Sequence, residues 1–322
     1  MYFSLGTSFI LTLVAAALWG SWMQAVKHLK GYPITGLIFW LYTFSFIFVW
    51  AVTLLLAPYL LPEGIVNASK AYMDTIPKIL FGGALMSMGL LCTVTANHRV
   101  GLVLSTTISG GVGVILGLVT SMVEEGIPER GLGLMILIAL VYIAAAVMSS
   151  YASSLRNRDH GLDERTNNIS LPVLGMMLSA AILTNGWSIG VSAGTANGIP
   201  PILTCAYMAT GSFISVLIMS LIYFTHKKMW RQALCIGESK RPVLLGLICS
   251  LCHYGGNLIS IYSMPALTAT VSFLLGRTSS LWTIFWGIYY KEFSNTSAKT
   301  KLTLVLAIIL FLTGIGLLAL TK

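Results

Sequence analysis

Charged residues are scarce in this chain. Asp, Glu, Lys and Arg together make up 9% of its 322 residues, whereas hydrophobic residues make up 56%. A soluble domain carries roughly a quarter charged residues, because its water-exposed surface needs them. This scarcity excludes a soluble globular fold and indicates that lipid surrounds most of the chain.

Long polar stretches are lacking too, and the two longest, 154–171 and 226–242, leave no room for a soluble domain. The rest of the chain consists of apolar runs of about twenty residues, the length at which a helix spans the hydrocarbon core of a bilayer. We therefore predict an all-α integral membrane fold of ten transmembrane helices. The predicted spans are 4–26, 35–57, 79–98, 101–122, 132–153, 172–195, 202–225, 243–263, 267–290 and 302–321.

The sequence lacks the cysteine pattern of a disulfide framework. Its five cysteines are an odd number and lie in or beside apolar runs. Cys249, Cys252 and His253 match the Cys-x-x-Cys-His pattern of c-type haem attachment. That pattern needs an exposed peptide, however, and here it falls inside the span 243–263. We expect no disulfide framework, no cofactor and no metal.

Enzyme signatures are absent as well: there is no His-Glu-x-x-His, no Gly-x-Ser-x-Gly and no carboxylate pair inside the spans. We therefore expect that the protein is not an enzyme. A membrane-embedded enzyme acting on lipid-linked substrates is the weaker alternative, and it would have to use His98, Glu124 and Glu125.

The net charge is +9, but Lys and Arg form no continuous basic stripe, so we expect no nucleic-acid partner. The loops after helices one, three, five, seven and nine hold 14 Lys and Arg residues, and the opposite side holds 4. By the positive-inside rule the odd-numbered loops face the cytoplasm. Both termini are then extracytoplasmic, in a multi-pass protein of the inner membrane.

The two halves of the chain, 1–160 and 161–322, share a pattern. Closely joined helices begin at Leu80-Phe81-Gly82 and end near Glu124-Glu125 in the first half; in the second they begin at Leu244-Leu245-Gly246 and end at Lys291-Glu292. Five helices per half is an odd number, so a duplicated second half would insert upside down. We predict two inverted five-helix repeats.

One charge falls inside a predicted span, at Arg277. An ionisable group in lipid is a functional candidate by default, so its guanidinium could donate hydrogen bonds to a solute. The alternative is a structural bridge to backbone carbonyls or to Glu124 or Glu125.

Helix eight carries polar residues on one face: Ser250, His253, Asn257 and Ser260 recur at spacings of three and four. Ordinary interhelical hydrogen bonding explains most membrane serines and threonines, whereas His253 near a cavity suits proton coupling. In helix four, Gly113 and Gly117 form Gly-x-x-x-Gly, which predicts close helix packing. The residues that we expect to bind solute are Trp19, Gln24, Asn185, Ser188, Asn257 and Arg277, with His253 as the proton-coupling candidate.

Several short segments resemble the bacterial L-rhamnose–proton symporter family of the drug/metabolite transporter superfamily. The segments that carry the resemblance are Phe81-Gly82-Gly83-Ala84, Met88-Gly89, Val100-Gly101-Leu102, Leu171-Pro172-Val173-Leu174-Gly175, Met264-Pro265-Ala266 and Lys291-Glu292-Phe293. The resemblance implies ten helices in inverted repeats and sugar uptake driven by the proton gradient, with the site at the repeat interface. The chain departs from it in having no carboxylate in helix nine before Lys291 and in carrying Arg277 there.

Together these features predict a secondary transporter that moves a small polar solute, a sugar such as L-rhamnose, by alternating access with a proton as the candidate coupling ion. A carrier or exporter of an organic anion that uses Arg277 is the alternative. Such a chain would work in membrane lipid as a monomer or homodimer.

Overall fold

The computed structural model describes residues 3–29, 31–100, 102–126, 132–162 and 171–320. Within these ranges the side chains of 97–100, 102–110, 121, 124, 125, 171, 173 and 269 are not described. The side chains of His98, Glu124 and Glu125, which were the candidates for an enzyme or for pairing with Arg277, therefore lie outside the described residues.

All regular structure in the described ranges is helical. A 3-10 segment, Trp22–His28, directly continues the first helix. The α-helices are α1 (Leu5–Ser21), α2 (Ile34–Leu60), α3 (Gly64–Lys70), α4 (Ile76–Val100), α5 (Leu102–Glu125), α6 (Leu132–Asp159), α7 (Leu171–Thr184), α8 (Gly186–Ala196), α9 (Pro201–Lys227), α10 (Trp230–Ala233), α11 (Arg241–Leu267), α12 (Ala269–Gly276), α13 (Ser279–Tyr289) and α14 (Ala298–Ala319).

Eight helical stretches in the described residues are long and apolar enough to cross a membrane. Their outer faces are apolar: Leu55 is 74% exposed and Ile222 is 67% exposed. Small and hydroxylated residues such as Ala16, Ser45 and Ser212 are instead fully buried. This distribution suits a multi-pass membrane protein, because lipid solvates large apolar side chains while small residues let helix backbones approach.

Three predicted spans are discontinuous. The first passes from α-helix to 3-10 helix at Trp22. The sixth divides into α7 and α8 at Asn185, and the ninth divides into α12 and α13 at Arg277 and Thr278. The first and sixth spans nevertheless form single helical stretches of membrane length, Leu5–His28 and Leu174–Ala196, each with a local irregularity.

The joints between the closely spaced helices also differ from those predicted. The eighth span was predicted to end at residue 263, but α11 continues through Pro265 to Leu267. The chain turns at Thr268, which has φ 71° and whose hydroxyl accepts from the amide of Val271 to begin α12. The third span was predicted to end at residue 98, but α4 continues to Val100.

Two pairs of helices run antiparallel in direct contact. Along α2 and α9, Phe39 contacts Phe224 and Trp50 contacts Tyr207, with ring centroids 6.1 and 5.9 Å apart. Along α6 and α14, Tyr142 contacts Phe311, and the Asp159 carboxylate accepts from the Ser297 amide at 2.8 Å. In each pair the partner number falls as the first number rises, so the helices point in opposite directions.

Loops gather at two ends of the bundle. At one end Lys27 and Arg156 both pair with Glu292, and the Tyr32 hydroxyl donates to the Ala233 carbonyl at 2.7 Å. Burial raises the pKa of the Tyr32 phenol above its ordinary value, so this donor stays protonated. The loops after spans one, five, seven and nine therefore share one end, which we call the odd-loop end.

The opposite end joins the loops after spans two and six. The Tyr72 hydroxyl donates to the Gly198 carbonyl at 3.2 Å, and the Tyr207 hydroxyl donates to Ser69 Oγ at 2.7 Å.

Gly211 sets how closely α9 approaches α4. A Cβ atom at this position would lie 1.9 Å from the Leu80 carbonyl oxygen, whereas a Cβ at Gly175 would meet nothing within 4 Å. We expect Gly211→Val to destabilise the fold by about 1–3 kcal/mol or more, as overpacking does, and to lower the melting temperature in detergent. Gly175→Val is the matched control and should melt near the wild type; equal melting of the two variants would contradict this packing.

Candidate functional site

The indole of Trp19 lies between glycines of two other helices. A Cβ at Gly256 of α11 would fall 2.7 Å from Trp19 Nε1, and a Cβ at Gly276 of α12 would fall 2.8 Å from the six-membered ring. Any side chain at either glycine would therefore displace the ring. These contacts hold α1 against both halves of the closely joined pair formed by α11 and α12.

Trp19 also makes two hydrogen bonds to α11. Its Nε1 donates to Asn257 Oδ1 at 3.0 Å and to the His253 carbonyl at 3.1 Å. The Trp187 ring of α8 meets the Trp19 ring edge-on, with centroids 5.8 Å apart. Trp19 thus contacts the Asn257 amide, the His253 carbonyl and the Trp187 indole.

His253 sits among aromatic rings. The centroids of Trp22, Tyr42 and Tyr254 lie 5.6, 5.8 and 5.5 Å from its ring. Its Nδ1 is buried and has no hydrogen-bond partner in the described part of the chain. The imidazole is therefore enclosed by apolar surface with one polar atom unsatisfied.

The remaining members join through Phe273. Its ring lies 6.4 Å from that of Trp187, and the Arg277 guanidinium sits over it at 4.2 Å. We call the eight connected residues the central cluster. They are Trp19, Trp22, Tyr42, Trp187, His253, Asn257, Phe273 and Arg277.

Unsatisfied polar atoms concentrate around this cluster. Leaving a buried donor or acceptor without a partner costs about 1–3 kcal/mol, so such atoms are rare unless a site uses them. The unpaired atoms found among the described residues include both donors and acceptors. In and beside the cluster they are Tyr42 Oη, Asn185 Oδ1, Trp187 Nε1, Ser188 Oγ, Ser192 Oγ, His253 Nδ1 and Asn257 Nδ2.

The serines of α8 are placed away from its glycine face. Gly186 lies against the Gly82 carbonyl and Gly190 against Met208, so that face packs on α4 and α9. Residues two positions apart on a helix point in nearly opposite directions. Ser188 and Ser192 therefore lie on the opposite side of α8, and both are 1% exposed.

Asn185 occupies the break between α7 and α8. Its Nδ2 donates to Thr120 Oγ1 of α5 at 2.7 Å, and its Oδ1 has no partner in the described chain. A break inside a membrane exposes backbone groups that lipid cannot satisfy. Here the backbone amide and carbonyl of Asn185 bond to Ile182 and Ile189, so the group that remains unpaired among the described residues is the side-chain Oδ1, next in sequence but one to Trp187.

Arg277 lies at the second break, between α12 and α13. Its one hydrogen bond to the described residues is a long one, from Nη2 to the Gly113 carbonyl at 3.4 Å. A guanidinium has five N–H donors, so most of its capacity is unused by these residues. We considered a structural bridge from Arg277 to backbone carbonyls or to a carboxylate. Among the described residues this contact is the one bridge to a carbonyl, and no carboxylate pairs with Arg277.

Close packing at the predicted Gly-x-x-x-Gly pair is found at Gly117. A Cβ at Gly117 would fall 2.0 Å from the Phe273 ring, whereas one at Gly113 would make only an ordinary contact, 4.0 Å from Arg277 Nη2. Gly117 therefore lets the Phe273 ring of α12 lie against α5.

Not every predicted residue joins the cluster. Gln24 lies on the 3-10 segment with its Oε1 buried and unpaired, but no described hydrogen bond connects it to the cluster. Ser250 pairs with Ser45 at 3.2 Å and Ser260 with Ser272 at 3.2 Å. These two serines from the polar face of the predicted eighth helix therefore form hydrogen bonds between helices.

Cys249 and Cys252, considered above for haem attachment, are free thiols on α11. Cys249 Sγ is buried and donates to the Trp22 carbonyl at 3.3 Å. Among the described residues no group of three His, Cys, Asp or Glu side chains could hold a metal.

The residues expected to bind solute omitted four members of the central cluster, namely Trp22, Tyr42, Trp187 and Phe273. Tyr42 is fully buried, and its signal was a hydroxyl-bearing ring in the middle of an apolar span, where a partner for the hydroxyl is expected. Phe273 gave no signal, because a phenylalanine in an apolar run is ordinary.

No protein-family profile and no curated protein matches the chain. Among solved structures, one described only as "Crystal structure of protein" is similar, with a TM-score of 0.65 at 12% identity. The likeness covers 98% of this chain and 97% of the other. At this identity it shows a shared fold and carries no statement about function.

The Trp19 hydrogen bonds can be tested without a solute. Trp19→Phe keeps an aromatic ring between the glycines but leaves Asn257 Oδ1 and the His253 carbonyl without the indole donor. We expect a loss of about 1–3 kcal/mol in stability, measured as a lower melting temperature. Trp230→Phe is the control: it removes an indole donor that bonds Thr225 at an exposed position and should lower the melting temperature far less. Equal shifts in melting temperature would contradict a special role for Trp19.

Proposed function

We propose that this protein is a secondary transporter that moves a small polar solute by alternating access, with the central cluster as its binding site. The observation that carries the proposal is the set of buried, unpartnered donors and acceptors around Trp19, His253 and Asn257. A polar solute with hydroxyl, amide or carboxylate groups could satisfy these atoms in turn. Aromatic faces at Trp19 and Trp187 would supply its apolar contacts.

Regular spacing between the two halves supports a duplicated architecture. Helices α2 and α9 both contain 27 residues and both follow a proline at the N-cap. Their first residues, 34 and 201, and their last residues, 60 and 227, each differ by 167 (201 − 34; 227 − 60). The end of α4 and the start of α5 relate to the end of α11 and the start of α12 by the same 167 (267 − 100; 269 − 102).

Contacts related by this spacing support a twofold arrangement. Phe46 and Phe213, 167 apart (213 − 46), stack on each other at 4.8 Å, as equivalent residues do at a twofold axis. Ser45 Oγ donates to Ser250 Oγ, and Ser212 Oγ donates to the Gly83 carbonyl. Adding 167 to 45 and 83 gives 212 and 250, so each contact is the counterpart of the other.

The antiparallel pairing of α2 with α9 and of α6 with α14 supports inversion of one half relative to the other. Ten spans in two inverted repeats, 1–160 and 161–322, account for both pairs. In this architecture solute sites form at the repeat interface, beside discontinuous helices. The central cluster draws residues from both halves and lies beside the breaks at Asn185 and Arg277.

The orientation follows from charge. The odd-loop end carries the Lys- and Arg-rich loops, so we infer that it faces the cytoplasm and that both termini face outward. L-Rhamnose or another sugar, with a proton as the coupling ion, is the specific version that the family resemblance suggests. His253 would then be the protonation site, since its Nδ1 has no partner among the described residues.

Transport can be tested on purified protein. A thermal-shift screen of sugars, organic acids and amines would identify a stabilising solute, and counterflow of that solute in proteoliposomes would measure transport. We expect Asn257→Leu to reduce counterflow by about tenfold or more, since one hydrogen bond to a buried ligand contributes roughly 1.4 kcal/mol. Thr95→Val, which alters an exposed hydroxyl on α4 bonded to its own helix, is the control and should transport normally.

A panel without any stabilising solute and without counterflow would contradict the transporter function. Equal loss in Asn257→Leu and Thr95→Val would remove the central cluster as its site.

Transport of an organic anion is the second candidate, favoured by the guanidinium donors of Arg277 that no described residue uses. For a neutral solute we expect Arg277→Gln and Arg277→Lys to retain similar fractions of transport, because both side chains donate hydrogen bonds. For an anion only Arg277→Lys, which keeps the charge, should retain it. Counterflow of the screened solute by the two variants distinguishes these outcomes, with melting temperature as the check on folding.

A further inference from the structure

The 3-10 segment Trp22–His28 is unusually long. Runs of 3-10 helix beyond three or four residues are uncommon, and within a longer helix they often mark a functional hinge or a strained sequence. This one has seven residues and follows α1 without interruption. Its first residue, Trp22, belongs to the central cluster, and its last two, Lys27 and His28, reach the odd-loop end.

The N-terminal end of this segment is anchored. A Cβ at Gly20 would fall 2.3 Å from the Ser279 carbonyl of α13. Trp286 Nε1 donates to Ser21 Oγ at 2.7 Å. Residues 20 and 21 are therefore fixed against α13, and a movement of the 3-10 segment would pivot just after them.

The C-terminal end of the segment is held by an ion-pair network. Glu292 binds Lys27 through Oε1 and Arg156 of α6 through Oε2. The Lys27 ammonium lies 4.4 Å from the Tyr290 ring, and His28 Nε2 lies 3.3 Å from the Tyr290 hydroxyl. Glu292 and Arg156 are partly buried, at 26% and 19% exposure, whereas Lys27 is exposed at 38%. Water therefore weakens the Arg156–Glu292 pair less than it weakens a fully exposed pair.

Separate contacts fix the loop that presents Glu292. The Asp159 carboxylate at the end of α6 accepts from the Ser297 amide at 2.8 Å and from Thr300 Oγ1 at 2.6 Å. His160 Nε2 lies 2.9 Å from the Ser294 carbonyl. Glu292 is thus part of the α6–α14 framework, and Lys27 is part of the 3-10 segment.

A cavity adjoins the held end. It has a volume of about 520 Å³ and is lined by Lys27, His28 and Tyr32 on one side and by Glu238, Arg241 and Pro242 on the other. It lies between the end of the 3-10 segment and the start of α11, so there is space beside the segment for it to move.

Rewinding to α-helix would move the held end far enough to break the network. Seven residues rise about 14 Å as 3-10 helix and about 10.5 Å as α-helix, and the accumulated rotation differs by about 140°. Lys27 would withdraw from Glu292 by several ångströms and turn away from it.

We propose that the Lys27–Glu292–Arg156 network is a latch that holds the 3-10 segment closed over the odd-loop end, and that its release lets the segment rewind and opens a route from the cavity to the central cluster. This inference deepens the proposed transport function and rests on it for its purpose. Lys27, Glu292 and Arg156 are positioning residues, because they act on the segment and not on the solute.

Cys249 provides a native probe of the latch. Its thiol is fully buried and bonds the Trp22 carbonyl of the 3-10 segment, so movement of the segment should expose it. With Cys92, Cys205, Cys235 and Cys252 replaced by alanine, the rate at which a small, membrane-impermeant methanethiosulfonate reagent modifies Cys249 reports opening. No solute is needed for this measurement.

We expect Glu292→Gln and Lys27→Met each to accelerate modification by about three- to tenfold, because the ion pair between Lys27 and Glu292 is lost in each. Lys299→Met is the matched control: it removes a cation at the same end, beside the Tyr151 ring and away from the 3-10 segment, and it should leave the rate unchanged. Melting temperatures of all variants show whether faster modification reflects opening or unfolding. Glu292→Gln leaves two cations, Lys27 and Arg156, without their carboxylate. If that variant does not fold, Lys27→Met still tests the latch.

Equal rates in the background protein and both latch variants would overturn the latch, even if the protein transports a solute. Equal acceleration by Lys299→Met would also overturn it, since loss of any cation at this end would then have the same effect. Selective acceleration in a protein that moves no solute would support the latch and contradict the transport function.

Discussion

Lipid requires that every polar group inside the bundle find its partner inside the bundle, and this constraint organises the structure. Most hydroxyls meet it locally, as Thr12 does by donating to the Ser8 carbonyl one turn earlier. Trp19 meets it across 238 residues of sequence by donating to Asn257. That bond joins α1 to α11. Polar side-chain atoms without a hydrogen-bond partner among the described residues lie around it. Among the described residues, seven of the ten buried side-chain atoms without a partner lie in or beside the cluster, and the other three belong to Ser8, Gln24 and Tyr142.

Broken helices are tolerated only where the protein itself surrounds the break. The breaks at Asn185 and Arg277 meet this condition because α5 reaches both: Thr120 accepts from Asn185, and the Gly113 carbonyl lies near Arg277. Gly117 has no side chain to keep α5 away from the Phe273 ring of α12. It thus permits close packing, which brings the Gly113 carbonyl toward the one cation placed in the middle of a predicted span.

The sequence was sufficient to predict the membrane class and most helices, because apolar runs of about twenty residues have one stable structure in a bilayer. Two breaks also had signals that were not used: Asn185-Gly186 is a turn dipeptide, and Gly276 followed by Thr278 and Ser279 combines a helix end with a helix start. The 3-10 segment had none, since Trp22–His28 contains no Gly or Pro. The pairings of Trp19 with Asn257 and of Lys27 with Glu292 could not be predicted, because they depend on which helix faces which.

The 3-10 segment connects the two regions where polar groups are concentrated. Trp22 at its start touches His253 in the central cluster, and Lys27 near its end binds Glu292 at the odd-loop end. A seven-residue segment fixed at both ends cannot change its winding at one end without moving the other. Anything bound beside His253 that shifts Trp22 therefore changes the geometry at Lys27, and release of Lys27 changes the surroundings of His253. Because coupling free energies are reciprocal, a solute that favours the rewound segment is bound more tightly once the ion pair is broken.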